Sequence, residues 1–123
     1  MAKVTGVGGV FIVSKDPAAM RTWYAEKLGI PMEQWGAQFS QAEESHASPY
    51  TVLSFFEQGS KYMNPSSSGF MLNLRVENLP AFLEKIKKKG VQQIDELVDE
   101  DYGKFAWILD PEGNKIELWE QGA

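Results

Sequence analysis

Glu117 is the residue of this chain best placed to do chemistry. It stands in Lys115 to Trp119 (KIELW), where apolar and polar residues alternate. Period-two alternation marks a β-strand, with Ile116 and Leu118 on one face and Glu117 and Trp119 on the other. A carboxylate between aliphatic neighbours, sharing its face with a tryptophan, suits the floor of a pocket. Burial there would raise its pKa toward that of a general base. The same pattern also fits a face that simply meets water. The other chemical candidates are weaker. His46, the single histidine, lies in the polar stretch EESHASP from Glu43 to Pro49. A lone loop histidine is most often solvated, although from there it could reach in as a ligand. Asp99-Glu100-Asp101 reads as an acidic turn, without the alternating ligand spacing of a calcium loop. Lys85, Lys87, Lys88 and Lys89 crowd a helix end, where positive charge suits the dipole, so they do not read as a nucleic-acid patch. With no cysteine there is neither a disulfide framework nor thiolate chemistry.

The elements that must position Glu117 can be read in turn. Gly103 to Glu120 (GKFAWILDPEGNKIELWE) reads as a hairpin. Pro111 pre-sets φ at the turn, Gly113 can take positive φ, and Asp110 and Asn114 can bond their own backbone. Val7 to Ser14 reads as a strand that places Gly9, Phe11 and Val13 on one face. Asp16-Pro17 opens a helix that puts Met20, Trp23, Tyr24 and Leu28 on one side, and Gly29 closes it. Met32 to Glu44 holds one or two short strands, and Tyr50 to Glu57 another. Gln58 to Gly69 (QGSKYMNPSSSG) reads as a surface connection. Phe70 to Val76 is a strand. Asn78 caps a second helix with Leu79, Phe82, Leu83 and Ile86 inward, and Val91 to Val98 is the next strand.

The chain of 123 residues is long enough for one compact domain with a real core. A hydrophobic content of 43% excludes a disordered chain. The net charge of −5 disfavours nucleic acid and anionic membrane surfaces as partners. No apolar run reaches the length of a membrane span, so a soluble, cytoplasmic protein is expected.

The two halves repeat. A shift of 62 residues carries Asp16 onto Asn78, Val10 onto Leu72 and Gly9 onto Met71. A shift of 63 carries LSFFE (Leu53 to Glu57) onto IELWE (Ile116 to Glu120) and Ser54 onto Glu117. Each half runs strand, helix, then about three strands, a βαβββ unit, with module 1 at about 5–60 and module 2 at about 68–121. With this repeat, Phe11 to Pro31 and the DPEGN turn followed by IEL, the chain resembles the vicinal oxygen chelate superfamily, also called the glyoxalase / bleomycin resistance / extradiol dioxygenase family. The resemblance implies an α+β fold in which tandem βαβββ modules form an incomplete β-barrel around a cavity. It also implies a homodimer.

In metal-dependent members of that family, four inward positions carry His or Glu ligands. Carried over, they are Gly9, Ser54, Met71 and Glu117, of which only Glu117 has the right chemistry. A degenerate metal site is therefore expected, with no cofactor and a divalent metal disfavoured. Strand alternation within this fold assigns Phe11, Phe56, Asn73, Arg75, Glu117 and Trp119 to a ligand-binding cavity, with Tyr102 and Trp107 from neighbouring strands. Three readings remain open. One is a metal-free small-molecule binder, like the drug-sequestering members that take cationic, aromatic-bearing ligands. A second is an isomerase or lyase acting on a small carbonyl compound, with Glu117 as base and Arg75 or Asn73 holding an oxyanion. A third is a protein–protein module with a packed interior.

Overall fold

The computed structural model describes residues 2–28, 30–40, 50–110 and 113–122. Module 1 comprises β1 (Lys3–Ser14), α1 (Pro17–Leu28), β2 (Ala37–Ser40) and β3 (Tyr50–Glu57). A short 3-10 turn, Lys61–Met63, lies in the connector. Module 2 comprises β4 (Phe70–Glu77), α2 (Leu79–Lys87), β5 (Gln93–Glu100), β6 (Gly103–Leu109) and β7 (Lys115–Gln121). Module 2 thus shows the full βαβββ order. Among the described residues module 1 shows two strands after its helix, preceded by an isolated bridge between Glu33 and Gly36.

All strands belong to one seven-stranded sheet, ordered β2-β3-β1-β4-β7-β6-β5, that is not closed into a barrel. The first strands of the two modules, β1 and β4, meet antiparallel at its centre. Each has the last strand of its own module parallel on its other side. Val10 and Leu72, matched by the 62-residue shift, are direct partners across that seam. A local two-fold axis therefore passes between them, and the sequence repeat becomes spatial symmetry.

The core lies on both sides of the sheet. Under α2, Leu79 and Leu83 pack with Val76, Ala106 and Leu118. On the inner face, Phe11, Met63, Met71 and Trp107 form a second cluster. The helix starts follow the sequence reading. Asp16 Oδ1 accepts from Ala19 N at 3.1 Å, and Asn78 Oδ1 accepts from Ala81 N at 3.4 Å. The N–H of Leu79 donates to Glu120 Oε1 at 2.7 Å, so β7 supplies a second cap for α2.

Some boundaries differ from expectation. β1 begins at Lys3, because Lys3 and Val4 pair with Glu77 and Val76. β5 runs on into the acidic residues, because Asp99 and Glu100 pair with Lys104 and Gly103. The turn proper is Asp101-Tyr102, so the acidic cluster is largely strand. The hairpin between β6 and β7 is closed as expected. Asn114 N donates to Asp110 Oδ1 at 2.9 Å, and Gly113 adopts φ +82. Pro111, Glu112, Gly29 and the segment 41–49 with His46 lie outside the described residues. The connector is more than a surface passage, because Met63 within it is buried in the inner core.

Candidate functional site

β7 aims Lys115, Glu117 and Trp119 at the inner face of the sheet, and all three are buried. Glu117 is only 2% exposed. Its neighbours are set by register: Asn73 lies opposite it on β4 and Trp107 opposite it on β6. Asn73 Nδ2 donates to Glu117 Oε2 at 2.6 Å, and Trp107 Nε1 donates to Oε1 at 3.1 Å. The Tyr62 hydroxyl, from the connector, donates to the same Oε1. Gly8 makes room for this arrangement, since a Cβ there would collide with the Asn73 amide oxygen.

Among the described residues these donors occupy three of the four acceptor positions of a carboxylate, leaving one on Oε2. Burial pushes the Glu117 carboxyl above its ordinary range. Hydrogen bonds from Tyr62, Asn73 and Trp107 and the nearby Lys115 charge oppose that rise without cancelling it. Burial and the Glu117 charge push the Tyr62 hydroxyl up. Lys115 is pulled down by burial, against the opposing effect of Asp95 and Glu117. Its Nζ donates to the Tyr62 carbonyl and lies 5.0 Å from the Tyr62 ring centre and 5.6 Å from that of Trp107.

Glu117 forms part of the wall of a cavity of about 580 Å³. That is within the range of roughly 300–1,000 Å³ used by small-molecule sites. Of the residues assigned to a cavity from the sequence, Phe11, Asn73, Tyr102, Glu117 and Trp119 line it, with Tyr102 largely exposed. Trp35, Gln38, Tyr50, Val52 and Phe105 complete it. Phe105 stacks parallel to Trp119, and Tyr50 meets Trp119 edge-on. No Lys, Arg or His occurs among these lining residues. A shallower apolar hollow of about 670 Å³ runs along the start of α1. Its one acid, Asp16, is already engaged in capping the helix.

Three expected lining residues lie elsewhere. Arg75 is opposite Trp119, one pleat beyond Asn73, and its Nη1 donates to the carbonyls of Val7 and Tyr50 at 2.8 Å each. It therefore staples β1 and β3 to β4, and Asn73, not Arg75, is the β4 side chain bonded to Glu117. Phe56 and Trp107 lie on the far side of Glu117, packed against Tyr62. Sequence reasoning missed Tyr62 and Lys115. Lys115 was open to discovery, since it shares a strand face with Glu117 two residues on. Tyr62 was hidden in a stretch whose composition reads as a linker.

The four family metal positions do not form a ligand set. Gly9 has no side chain, and a Cβ there would strike the Val52 carbonyl. The Ser54 hydroxyl donates to the Trp35 carbonyl. Met71 is fully buried in the inner core, and Glu117 is engaged by three donors. Among the described residues no group of three His, Asp or Glu side chains converges. This donor set does not fit a chelated divalent ion.

Comparison with known proteins places the fold. No curated protein sequence matches the chain. Among solved structures, a methylmalonyl-CoA epimerase from Mycobacterium tuberculosis is 23% identical, with a TM-score of 0.63 over 98% of this chain and 90% of its own. A variant of the Streptomyces coelicolor methylmalonyl-CoA epimerase, in complex with 2-nitronate-propionyl-CoA, is 15% identical, with a TM-score of 0.73 over 98% of this chain and all of its own (100%). A superfamily member from Vibrio splendidus 12B01 is 11% identical, with a TM-score of 0.58 over 98% and 100% of the two chains. At these identities the likeness is one of fold. No helix among the described residues is long and apolar enough to cross a membrane. The family profile covers residues 6–118, the repeat and both modules included, and the chain belongs to the Glyoxalase/Bleomycin resistance protein/Dioxygenase superfamily.

Proposed function

We propose that this protein binds a small planar organic amine in the cavity above Glu117, without a metal. One observation carries the reading. A buried carboxylate with a spare acceptor position among the described residues forms the floor of an aromatic cavity whose described lining residues include no cation. An N–H donor from the ligand completes Oε2, and the rings around it favour a flat body and a positive head. An anionic ligand would find no oppositely charged partner among the described lining residues. Arg75 and Lys115, the buried cations nearby, are tied to backbone carbonyls. Homodimerisation and a cytoplasmic location, which the resemblance and composition suggest, belong to this reading and are checked by sedimentation velocity and cell fractionation.

Benzylamine is the first probe, titrated calorimetrically against the wild type and Glu117→Gln. A charge-assisted hydrogen bond contributes about 1.5–3 kcal/mol, so the variant should bind at least about tenfold more weakly. Equal affinity for both proteins would remove Glu117 from the site.

A second reading is proton abstraction by Glu117 from a small carbonyl compound. The raised carboxyl facing the cavity favours it. It predicts Glu117-dependent deuterium uptake at the α-carbon of a probe such as phenylacetone. Two features weigh against it. Asn73 Nδ2 already donates to Glu117, and Arg75, held against the Val7 and Tyr50 carbonyls, is absent from the cavity lining, so neither is aimed at a substrate oxygen there. The open cavity speaks equally against a protein–protein module with a packed interior.

A further inference from the structure

The connector between the modules does more than join them. Tyr62 is gripped from both sides of the molecule. Its ring packs on Phe56 of β3, with centroids 5.1 Å apart, and edge-on against Trp107 of β6, at 6.0 Å. Its hydroxyl reaches Glu117 and its carbonyl holds Lys115. Met63, the next residue, is buried in the inner core and anchors the turn. Yet Tyr62 itself remains 37% exposed. Part of Tyr62 therefore still meets solvent while its hydroxyl touches the buried carboxylate. The cavity stops at Glu117 and includes none of Tyr62, Phe56 or Trp107 in its lining.

We propose that Tyr62 is a specificity-determining residue: its ring backs Glu117 as the end wall of the site, and it sets how far a ligand can extend past Glu117. This rests on the amine-binding reading above and deepens it. With the wall present, an amine carries its bulk on one side of the nitrogen only, the side in the cavity. With the ring removed, the space between Phe56 and Trp107 opens behind Glu117, and an amine with a ring on each side of its nitrogen can span the carboxylate.

The test compares benzylamine with dibenzylamine on the wild type, Tyr62→Phe and Tyr62→Ala. The wild type should prefer benzylamine by at least tenfold. Tyr62→Ala should reverse that order. Tyr62→Phe keeps the ring but loses the hydroxyl; its affinities shift, but benzylamine stays ahead. A ligand-free readout accompanies it: exchange of the Trp107 indole N–H with water, followed by NMR. That proton sits on Glu117 behind the Tyr62 ring. Its exchange should quicken at least tenfold in Tyr62→Ala, with Tyr62→Phe close to the wild type. Should Tyr62→Ala fail to fold, Tyr62→Leu keeps the contact with Phe56, cannot reach Glu117, and should show the same two changes in smaller measure. An unchanged amine order or unchanged indole exchange in the folded variant overturns the wall. Faster exchange with no binding of either amine to the wild type leaves the wall standing and overturns the binding reading instead.

Discussion

The helix α2 sets Leu79 and Leu83 against Val76, Ala106 and Leu118, and both leucines are buried. Its counterpart α1 offers the sheet Tyr24, whose ring lies 4.9 Å from that of Phe55, and leaves Trp23 49% exposed. Both helices carry apolar residues at i, i+3 and i+4, and both have a side-chain cap. They differ in what the sheet gives them to bury against. Module 2 presents small and aliphatic residues on three strands, so two leucines seat fully. Among the described side chains, module 1 meets its helix through the ring contact of Tyr24 with Phe55. The same unit, used twice, has divided its labour. Module 2 is the frame that fixes Glu117, while module 1 supplies walls of the cavity in Phe11, Tyr50 and Val52.

The largest difference should appear in stability. Leu83→Ala removes a buried side chain from the α2 cluster and should cost about 2–5 kcal/mol. Met20→Ala in α1 removes a half-buried one and should cost less than about 1.5 kcal/mol. Urea denaturation with a constant slope measures both. Equal losses would mean that α1 is held as firmly as α2.

The frame also carries a pH dependence. The Glu117 carboxyl titrates higher in the folded protein than in the unfolded chain because of burial. Between the ordinary carboxylate range and its raised value, the native state holds more protons than the unfolded state. Stability contributed by this group is therefore greatest at low pH, falls as pH rises through that window, and levels off above it. The slope from one proton is at most about 1.4 kcal/mol per pH unit. Glu117→Gln should remove this component, which denaturation curves from acid to neutral pH would reveal. Amine binding should run the other way, strengthening as Glu117 ionises.

The caps give a smaller contrast. Asn78 holds a left-handed backbone, φ +57, where its short polar side chain is tolerated. Asn78→Ala loses both the cap and that tolerance and should cost about 1–2 kcal/mol, with Asn78→Gly within a few tenths of the wild type. Asp16→Ala loses only a cap bond and should fall at about 0.5–1 kcal/mol. Thermal denaturation of the three variants orders them. If Asn78→Gly is as damaging as Asn78→Ala, backbone strain is not what separates the two caps.

How much of this was legible in the sequence depended on whether the information was local. The β6–β7 hairpin was written in DPEGN and in the alternation of KIELW, and the pointing of Glu117 followed from the same alternation. Phe11, Asn73 and Trp119 reached the cavity for that reason. Arg75 obeyed the alternation too, but its partner depended on register between β4 and β7, which puts Asn73 opposite Glu117. Register is a property of two strands and cannot be read from one. Trp35 and Gln38 belong to a stretch with weak periodicity, so nothing local marked them as lining. Tyr62 is the instructive miss. Gly, Ser, Asn and Pro around it rightly signal a connection, yet Tyr62 and Met63 are the bulky apolar pair within it. Two such residues side by side in a polar linker are a reason to ask what they bury.

The smallest expected effect bears on the exposed side of module 1. Trp23 meets Tyr24 edge-on at 5.2 Å, while about half of its surface stays in water. Truncation to alanine loses one ring contact and little burial, so Trp23→Ala should change stability by no more than about 0.5 kcal/mol. Its effect on benzylamine affinity should be nil, since Trp23 lines the hollow along α1 and not the cavity above Glu117. Equilibrium denaturation and the same calorimetric titration check the two statements separately. A loss above about 1.5 kcal/mol would show that Trp23 seats α1 on the sheet as firmly as Leu83 seats α2, and the two modules would then share the work of holding the fold.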